Sequence, residues 1–517
     1  NSMAPGAAVA HGLAAACLLT AGCATLPPQE GRATSFALAQ TADTRLGTAI
    51  APLAAGHPGK TGIHAVPIAA DAFAARVLLA TAAQRSIDAQ YYIWRDDQTG
   101  MLLFESLANA ADRGVRVRIL IDDQNTKPIE EVLAALATHA NVEVRIYNPF
   151  PTRSARALDY LGDFSRLNRR MHNKSFIADN QAAIVGGRNI GNEYFGAGEE
   201  VPFEDLDVIA IGPAVREVSA QFDRYWNSAS AYPATAILAP PRPDAMARLD
   251  TTFAGVRADP ESQRYLAAVR ATPLVAQLLE RRLELEWADA RLVADDPAKT
   301  LDREARTELL MLSGLIGGGE RPTASLDLIS PYFVPAEKGS ALLEGLARDG
   351  IRVRVLTNSY AATDVSVVHS GYAKRRCDLA RAGVKLFEMK RTIDLGARRP
   401  EGKAGSSTAS LHAKTFAADN ARIFVGSFNF DPRSALLNTE MGLVISSPAL
   451  ASRLAQAFEG PIPANAYEVR SRPEGDCIEW VERTASGEVR HETEPETGWW
   501  QRAWLEFLTL MPIDWML

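Results

Sequence analysis

From about residue 60 the chain lays out short apolar runs and amphipathic stretches in an order that it later repeats. Ser86-Ile87-Asp88 and Ser325-Leu326-Asp327 each open a strand-like run that ends in aromatics, Tyr91-Tyr92-Ile93-Trp94 in the first and Tyr332-Phe333 in the second. Helix-like stretches follow, Leu102 to Arg113 and Ala341 to Asp349. Gly114 to Leu120 and Gly350 to Leu356 then alternate apolar and charged residues, as a strand beside a polar face does. Farther on, Asp205 to Val215 parallels Glu440 to Leu450, with Pro213 opposite Pro448. Each half reads as strand, helix, strand, helix and further strands. The pattern predicts two α/β units, each a mixed β-sheet flanked by helices.

The repeat divides the chain into a first unit at 60–239 and a second at 324–470. The segment 240–323 enters through Pro240-Pro241 and is expected to be a helical connector, with a helix around Gln277 to Trp287. A polar break from Thr392 to Ser410 suits either an active-site rim or an ordinary surface loop. Residues 24–59 read as a linker and 471–517 as a C-terminal extension. The extension is dense in aromatics from Gly498 to Leu508, which suits a membrane-interfacial segment or an amphipathic tail docked on the protein. At the other end, Gly12 to Ala21 is a small, apolar run too short to span a bilayer.

With 517 residues the chain exceeds what one core usually supports, and 47% apolar with 23% charged residues is ordinary for a globular protein. A net charge of -7 disfavours nucleic acid as the partner of the whole surface. Cys377 and Cys477 either pair in an oxidising compartment or stay as buried thiols, and sequence leaves both open. His57-Pro58-Gly59-Lys60-Thr61 is not read as a phosphate loop, because Ala54 stands where its first glycine is required. His369 and Tyr372, on an expected helix, either line a head-group pocket or belong to a polar helix face.

The chemistry lies in five residues of the first half, His172, Lys174, Asp179, Gly186 and Asn189. They recur at one constant offset as His412, Lys414, Asp419, Gly426 and Asn429. Met171 to Ala178 and Leu411 to Ala418 read as strands, so His and Lys two apart project from one face. Two such segments meeting at a pseudo-twofold axis would build one shared anion site holding a nucleophile and a proton donor. Phosphodiester cleavage needs those parts. Lys174 and Lys414 can neutralise the phosphoryl oxygens, with Asn189, Asn429 and Ser427 as further contacts. One histidine can attack phosphorus while the other protonates the leaving oxygen. Asp205 and Glu440, at matching positions, are expected to orient the imidazoles. Asp179 and Asp419 follow at strand-to-turn junctions and are given supporting roles. No second His or Cys stands at ligand spacing and each Lys would repel a cation, so no metal or other cofactor is implied.

The duplicated H-x-K-x4-D-x6-G-S/G-x-N pattern resembles that of the phospholipase D superfamily, over about residues 60 to 515. The first copy has Gly187 where the second has Ser427. Within that superfamily, Ser86 to Trp94, Arg169 to Lys174, Gly186 to Ile190 and Phe430 to Ser434 are most similar to bacterial cardiolipin synthases. The resemblance implies transfer of a phosphatidyl group through a phosphohistidine to the glycerol hydroxyl of phosphatidylglycerol, with His172 as nucleophile and His412 as acid and base. Its alternative is hydrolysis of phospholipids or of nucleic acid phosphodiesters. The expected partners are phospholipids and a membrane surface; no protein partner is indicated. Leu19 to Cys23 also resembles a bacterial lipoprotein signal, although Thr20 replaces an aliphatic residue and no Lys or Arg precedes the run. By that likeness 1–23 is a signal segment, Cys23 is the lipidated residue, and the enzyme is anchored in the cell envelope facing the periplasm.

Overall fold

Asp88 and Arg118, like Asp327 and Arg354, lie on the charged side of alternating strands, a side the sequence assigns to a polar face. In the computed structural model that side is covered instead. Arg118 is fully buried, pairing with Asp88 at 2.6 Å and with Asp223 of the helix above it at 2.8 Å. Arg354 pairs with Asp327 at the same distance in the second half. Burial of both faces is the rule for parallel strands covered by helices, and the guanidinium is tolerated because its hydrogen bonds are filled.

The structure describes residues 25–511 apart from 31, 199–201, 281, 318–320, 394–406, 409 and 473–476. Cys23 and segment 1–23 lie outside these residues, as does most of the polar break between Thr392 and Ser410.

In the first unit β1 (Thr61–Val66), β2 (Ser86–Tyr91), β3 (Arg116–Asp122), β4 (Val142–Tyr147), β5 (Ser175–Ala178), β6 (Ala182–Gly186), β8 (Asp207–Ile211) and β9 (Ala231–Pro233) form one sheet. A short β7 (Phe203–Glu204) stands apart from it. β2, β3 and β4 run parallel, and β5, β6, β8 and β1 continue antiparallel from β2. β10 (Glu286–Ala294) pairs with β1 through residues 286–288 and with Met441–Ser446 of the second unit through residues 289–294. The second unit mirrors the first, with β11 (Ser325–Ile329), β12 (Arg352–Asn358) and β13 (Lys385–Met389) parallel. β15 (Thr415–Ala418), β16 (Arg422–Gly426) and β17 (Met441–Ser446) are antiparallel, and β14 (Ser410–Leu411) pairs with β7 across the units.

Helices α1 (Ala69–Ala82), α2 (Gln98–Asp112), α3 (Arg156–Leu167) and α4 (Pro213–Trp226) belong to the first unit. α5 (Ala336–Arg348), α6 (Ser366–Ala373) and α7 (Pro448–Glu459) belong to the second. Two expectations change here. The helix expected from Gln277 to Trp287 ends at Leu279, and Glu286 begins β10, because a period-two stretch next to two open strand edges gains two ladders. Residues past 471 add strands Ile478–Thr484 and Gly487–His491 to the second sheet, through β18 (Ala466–Ser471), before the terminal helix α8 (Trp499–Thr509). The Cys377 and Cys477 sulfurs are bonded, with Cα atoms 5.9 Å apart.

One apolar cluster is shared by the units and includes Met171, Ile177, Val185, Leu411, Ala417, Val425 and Leu443. Met171 and Leu411 immediately precede the two motif histidines, so the seam itself seats the motifs.

Candidate active site

Each motif begins where a chain segment leaves its own sheet and bonds to the other unit. The His172 N–H donates to the Thr439 carbonyl at 2.9 Å, and the Thr439 N–H donates to the Arg170 carbonyl at the same distance. The N–H groups of His412 and Ala413 both donate to the Glu204 carbonyl. Hence His172, Lys174, His412 and Lys414 do not lie in regular strands as expected. The ladder starts only at Ser175 and Thr415, because the preceding backbone groups are taken by the opposite unit. Asp122, ending β3, accepts from Met171 N at 2.8 Å and from Arg170 Nε. Asn358, ending β12, bonds both backbone groups of Leu411.

The imidazoles are oriented crosswise. His172 Nδ1 is 2.8 Å from Glu440 of the second unit, and His412 Nδ1 is 2.5 Å from Asp205 of the first. An Nδ1–H donated to a carboxylate leaves Nε2 with a free lone pair. All four motif side chains are buried, and both lysines turn back to the carbonyl of their own histidine. Burial, with the neighbouring ammonium groups, holds His172 well below the usual imidazole value and His412 at about 4. Burial also lowers Lys174 well below its ordinary value and Lys414 to about 8.

The two carboxylates differ. Burial pushes Glu440 up to about 7 despite Lys174 and Ser427, whereas His412, Lys414 and Arg188 outweigh burial at Asp205 and hold it below its usual value. Ser427, expected at the phosphate, instead donates its hydroxyl to Glu440 at 2.5 Å. The Gly187 counterpart has no room for a side chain, since a Cβ there would stand 2.2 Å from Asp205 Oδ1. Asn189 is also bound locally, accepting from Ile93 N and donating to Tyr194 Oη, while Asn429 Oδ1 has no partner among the described residues. Asp179 and Asp419, both at positive φ, gather the N–H groups of residues 84–86 and 323–325 and so tie each motif to the start of β2 and β11. Local hydrogen bonding at a left-handed turn is what Asp does readily.

Several contributors carry no sequence signal. Phe203 stacks on His412 with centroids 5.0 Å apart, and Tyr194 and Tyr92 meet His412 and His172 edge-on. In the connector, buried Asp295 donates its N–H to the Glu440 carbonyl at 2.9 Å, accepts the Glu440 N–H on its carboxylate at 2.7 Å, and pairs with buried Lys299 at 3.0 Å. His369 and Tyr372 are buried in α6, where they pack on each other near Glu494 and Arg376, so neither forms a polar helix face.

Residues 78–226 and 320–461 match the family model described as cardiolipin synthase, PLD-like domain. The chain is 46% identical to cardiolipin synthase C of Escherichia coli over 92% of this chain and 100% of that protein. It is 31% identical to an uncharacterised protein of Helicobacter pylori over 86% of this chain and 87% of the other. Among solved structures, phosphatidylserine synthase of Haemophilus influenzae shares the fold at 14% identity and a TM-score of 0.52, covering 78% of this chain and 87% of that one.

Proposed function

The chain belongs to the cardiolipin synthase family with duplicated phospholipase D-like domains, and from that membership we propose how its paired motifs work as a phosphatidyltransferase. The observation that carries the reading is the crosswise pairing of His172 with Glu440 and His412 with Asp205 around two buried lysines. His172 Nε2 attacks the phosphorus of phosphatidylglycerol, forming the P–N bond as the bond to the glycerol oxygen breaks. His412 gives that oxygen its proton. A second phosphatidylglycerol then offers its glycerol hydroxyl, His412 takes the proton, and the alkoxide displaces His172 to give cardiolipin. Lys174 and Lys414 neutralise the non-bridging oxygens in a setting of low dielectric. The ionised Asp205 favours the imidazolium of His412, which supports its part as the acid. A bound phosphodiester anion would offset the two ammonium groups and raise the proton affinity of His412 from its value of about 4, favouring the imidazolium. Phe203, Tyr194 and Tyr92 shield the imidazoles from water, which favours an alcohol over hydrolysis at the second step.

The enzyme is membrane-associated and bacterial by its family. Among the described residues no helix is long and apolar enough to cross a membrane. A lipid on Cys23 would supply attachment, and the bonded Cys377 and Cys477 suit an oxidising periplasm. The test is incubation with radiolabelled phosphatidylglycerol, with DNA in a parallel reaction. Cardiolipin and free glycerol are expected, and His172→Ala and His412→Ala should each lower product by about a thousandfold or more. Phosphatidic acid without cardiolipin, or cut DNA, would reject the transferase reading.

A further inference from the structure

The carboxyl ends of β3 and β12 hold the residues that precede the two motif histidines, through Asp122 and Asn358, and two helices with uncovered apolar faces lie next to those ends. In the first unit Tyr160 of α3 rings against Phe150 and donates to Gln124 just past β3. The same helix exposes Leu158, Leu161 and Phe164, with Leu161 87% exposed. In the second unit Asp364 accepts from Tyr332 at 2.8 Å, acts electrostatically on Lys414, and precedes α6 by two residues. Helix α8 lies on α6, burying Leu505 and Leu508 and exposing Trp499, Trp500, Trp504, Phe507 and, just beyond it, Leu510. Trp500 is 70% and Leu510 82% exposed.

We propose that these two faces form a docking surface for a phospholipid bilayer, one on each side of the site. The inference rests on the transferase reading for its substrate, which lies in a bilayer. Tryptophan and leucine on one face of a short helix suit the headgroup boundary, and paired apolar patches of this kind are uncommon on a free surface. The path of the N-terminal segment supports a membrane as the occupant. Gln29 donates to Ala229, and Arg32 to Ser228. These residues adjoin Ala231, which pairs with Tyr147 at the carboxyl end of β4. The next residue, Asn148, bonds the carbonyls of Arg166 and Arg169 at the end of α3. A lipid on Cys23, a few residues before Gln29, would therefore be held on the side that bears α3.

The experiment uses the full chain carrying Cys23→Ser, so that a lipid modification cannot mask other contacts, with vesicles of phosphatidylglycerol and phosphatidylethanolamine. This chain should sediment with the vesicles, and its tryptophan emission should shift to the blue and be quenched by brominated acyl chains. Leu161→Glu in α3 and Trp504→Glu in α8 should each lower partition by about tenfold, the cost of placing a carboxylate at the interface. Together they should lower it further. All variants should keep transfer from monomeric short-chain phosphatidylglycerol within about twofold of the parent. Unchanged vesicle binding in both variants, or tryptophans that brominated lipid does not quench, would overturn the proposal. So would a dimer that these substitutions dissociate while vesicle binding is absent, since the faces would then cover a second copy. Failure of the unsubstituted chain on the short-chain substrate would count against the transferase reading alone.

Discussion

Glu440 and Asp205 hold equivalent positions in the two units yet hold their protons differently. Glu440 reaches Ser427 and lies buried with a value of about 7, while Asp205 is drawn against Gly187 and below its usual value. Because the folded value of Glu440 exceeds its ordinary 4.5, the fold binds that proton more tightly. The resulting stability is full below about 4.5 and is lost as pH rises through about 7, a change on the order of 3 kcal/mol. His412 has the opposite sign. Its folded value of about 4 lies below the ordinary 6.5, so its contribution is present above 6.5 and is lost as pH falls through 4. In thermal melts the advantage of the parent over Glu440→Gln should shrink as pH rises from about 4.5 to about 7, while the acid limb set by the histidines is the same in both. Gly187→Ser, which would copy the second unit's residue, should instead displace Asp205 and lower kcat by about a hundredfold, because small misplacements near reacting groups are costly. The types of the site residues are plain in the sequence. The bond of the Ser427 hydroxyl to Glu440 is not plain there, because Glu440 is thirteen positions away and reaches back to it only in the folded chain.

At the scale of elements, the strands and helices of the two units follow from their periodicity, but the motif segments do not. Residues 171–174 and 411–414 look like strand and behave as links between units, since the N–H of His172 serves Thr439 and those of His412 and Ala413 serve Glu204. The connector holds a similar surprise. β10 completes both sheets, and the turn after it places Asp295 on the backbone of Glu440, with Lys299 beside it. Lys299→Met should leave a buried, unpaired carboxylate and lower stability by about 3–5 kcal/mol, read as a fall in the thermal midpoint with a parallel loss of transfer. A variant as stable as the parent would show that Asp295 takes up a proton at no cost. Period-two patterning marks β10, but the Arg- and Glu-rich run that leads into it, Glu280 to Glu286, has helical composition.

For the whole molecule, the second unit is closed by a disulfide spanning a sequence separation of 100 residues. Cys477→Ser should destabilise it by about 5 kcal/mol, the entropy of releasing a loop of that length, and the loss should match that of the reduced parent in thermal melts. The sequence by itself determined the duplication, the α/β character of each unit, the two histidines and two lysines, and the family, because these are written in residue identity at fixed spacing. It also limited the histidine partners to Asp205 and Glu440. Only the tertiary structure decided that each carboxylate serves the other unit's histidine, that a connector strand joins the sheets, and that α3 and α8 leave apolar faces uncovered. Those are relations between residues up to 268 positions apart, set by the packing of Met171, Leu411 and their neighbours at the seam. Local pattern records which face a residue prefers, but not which distant surface will meet it.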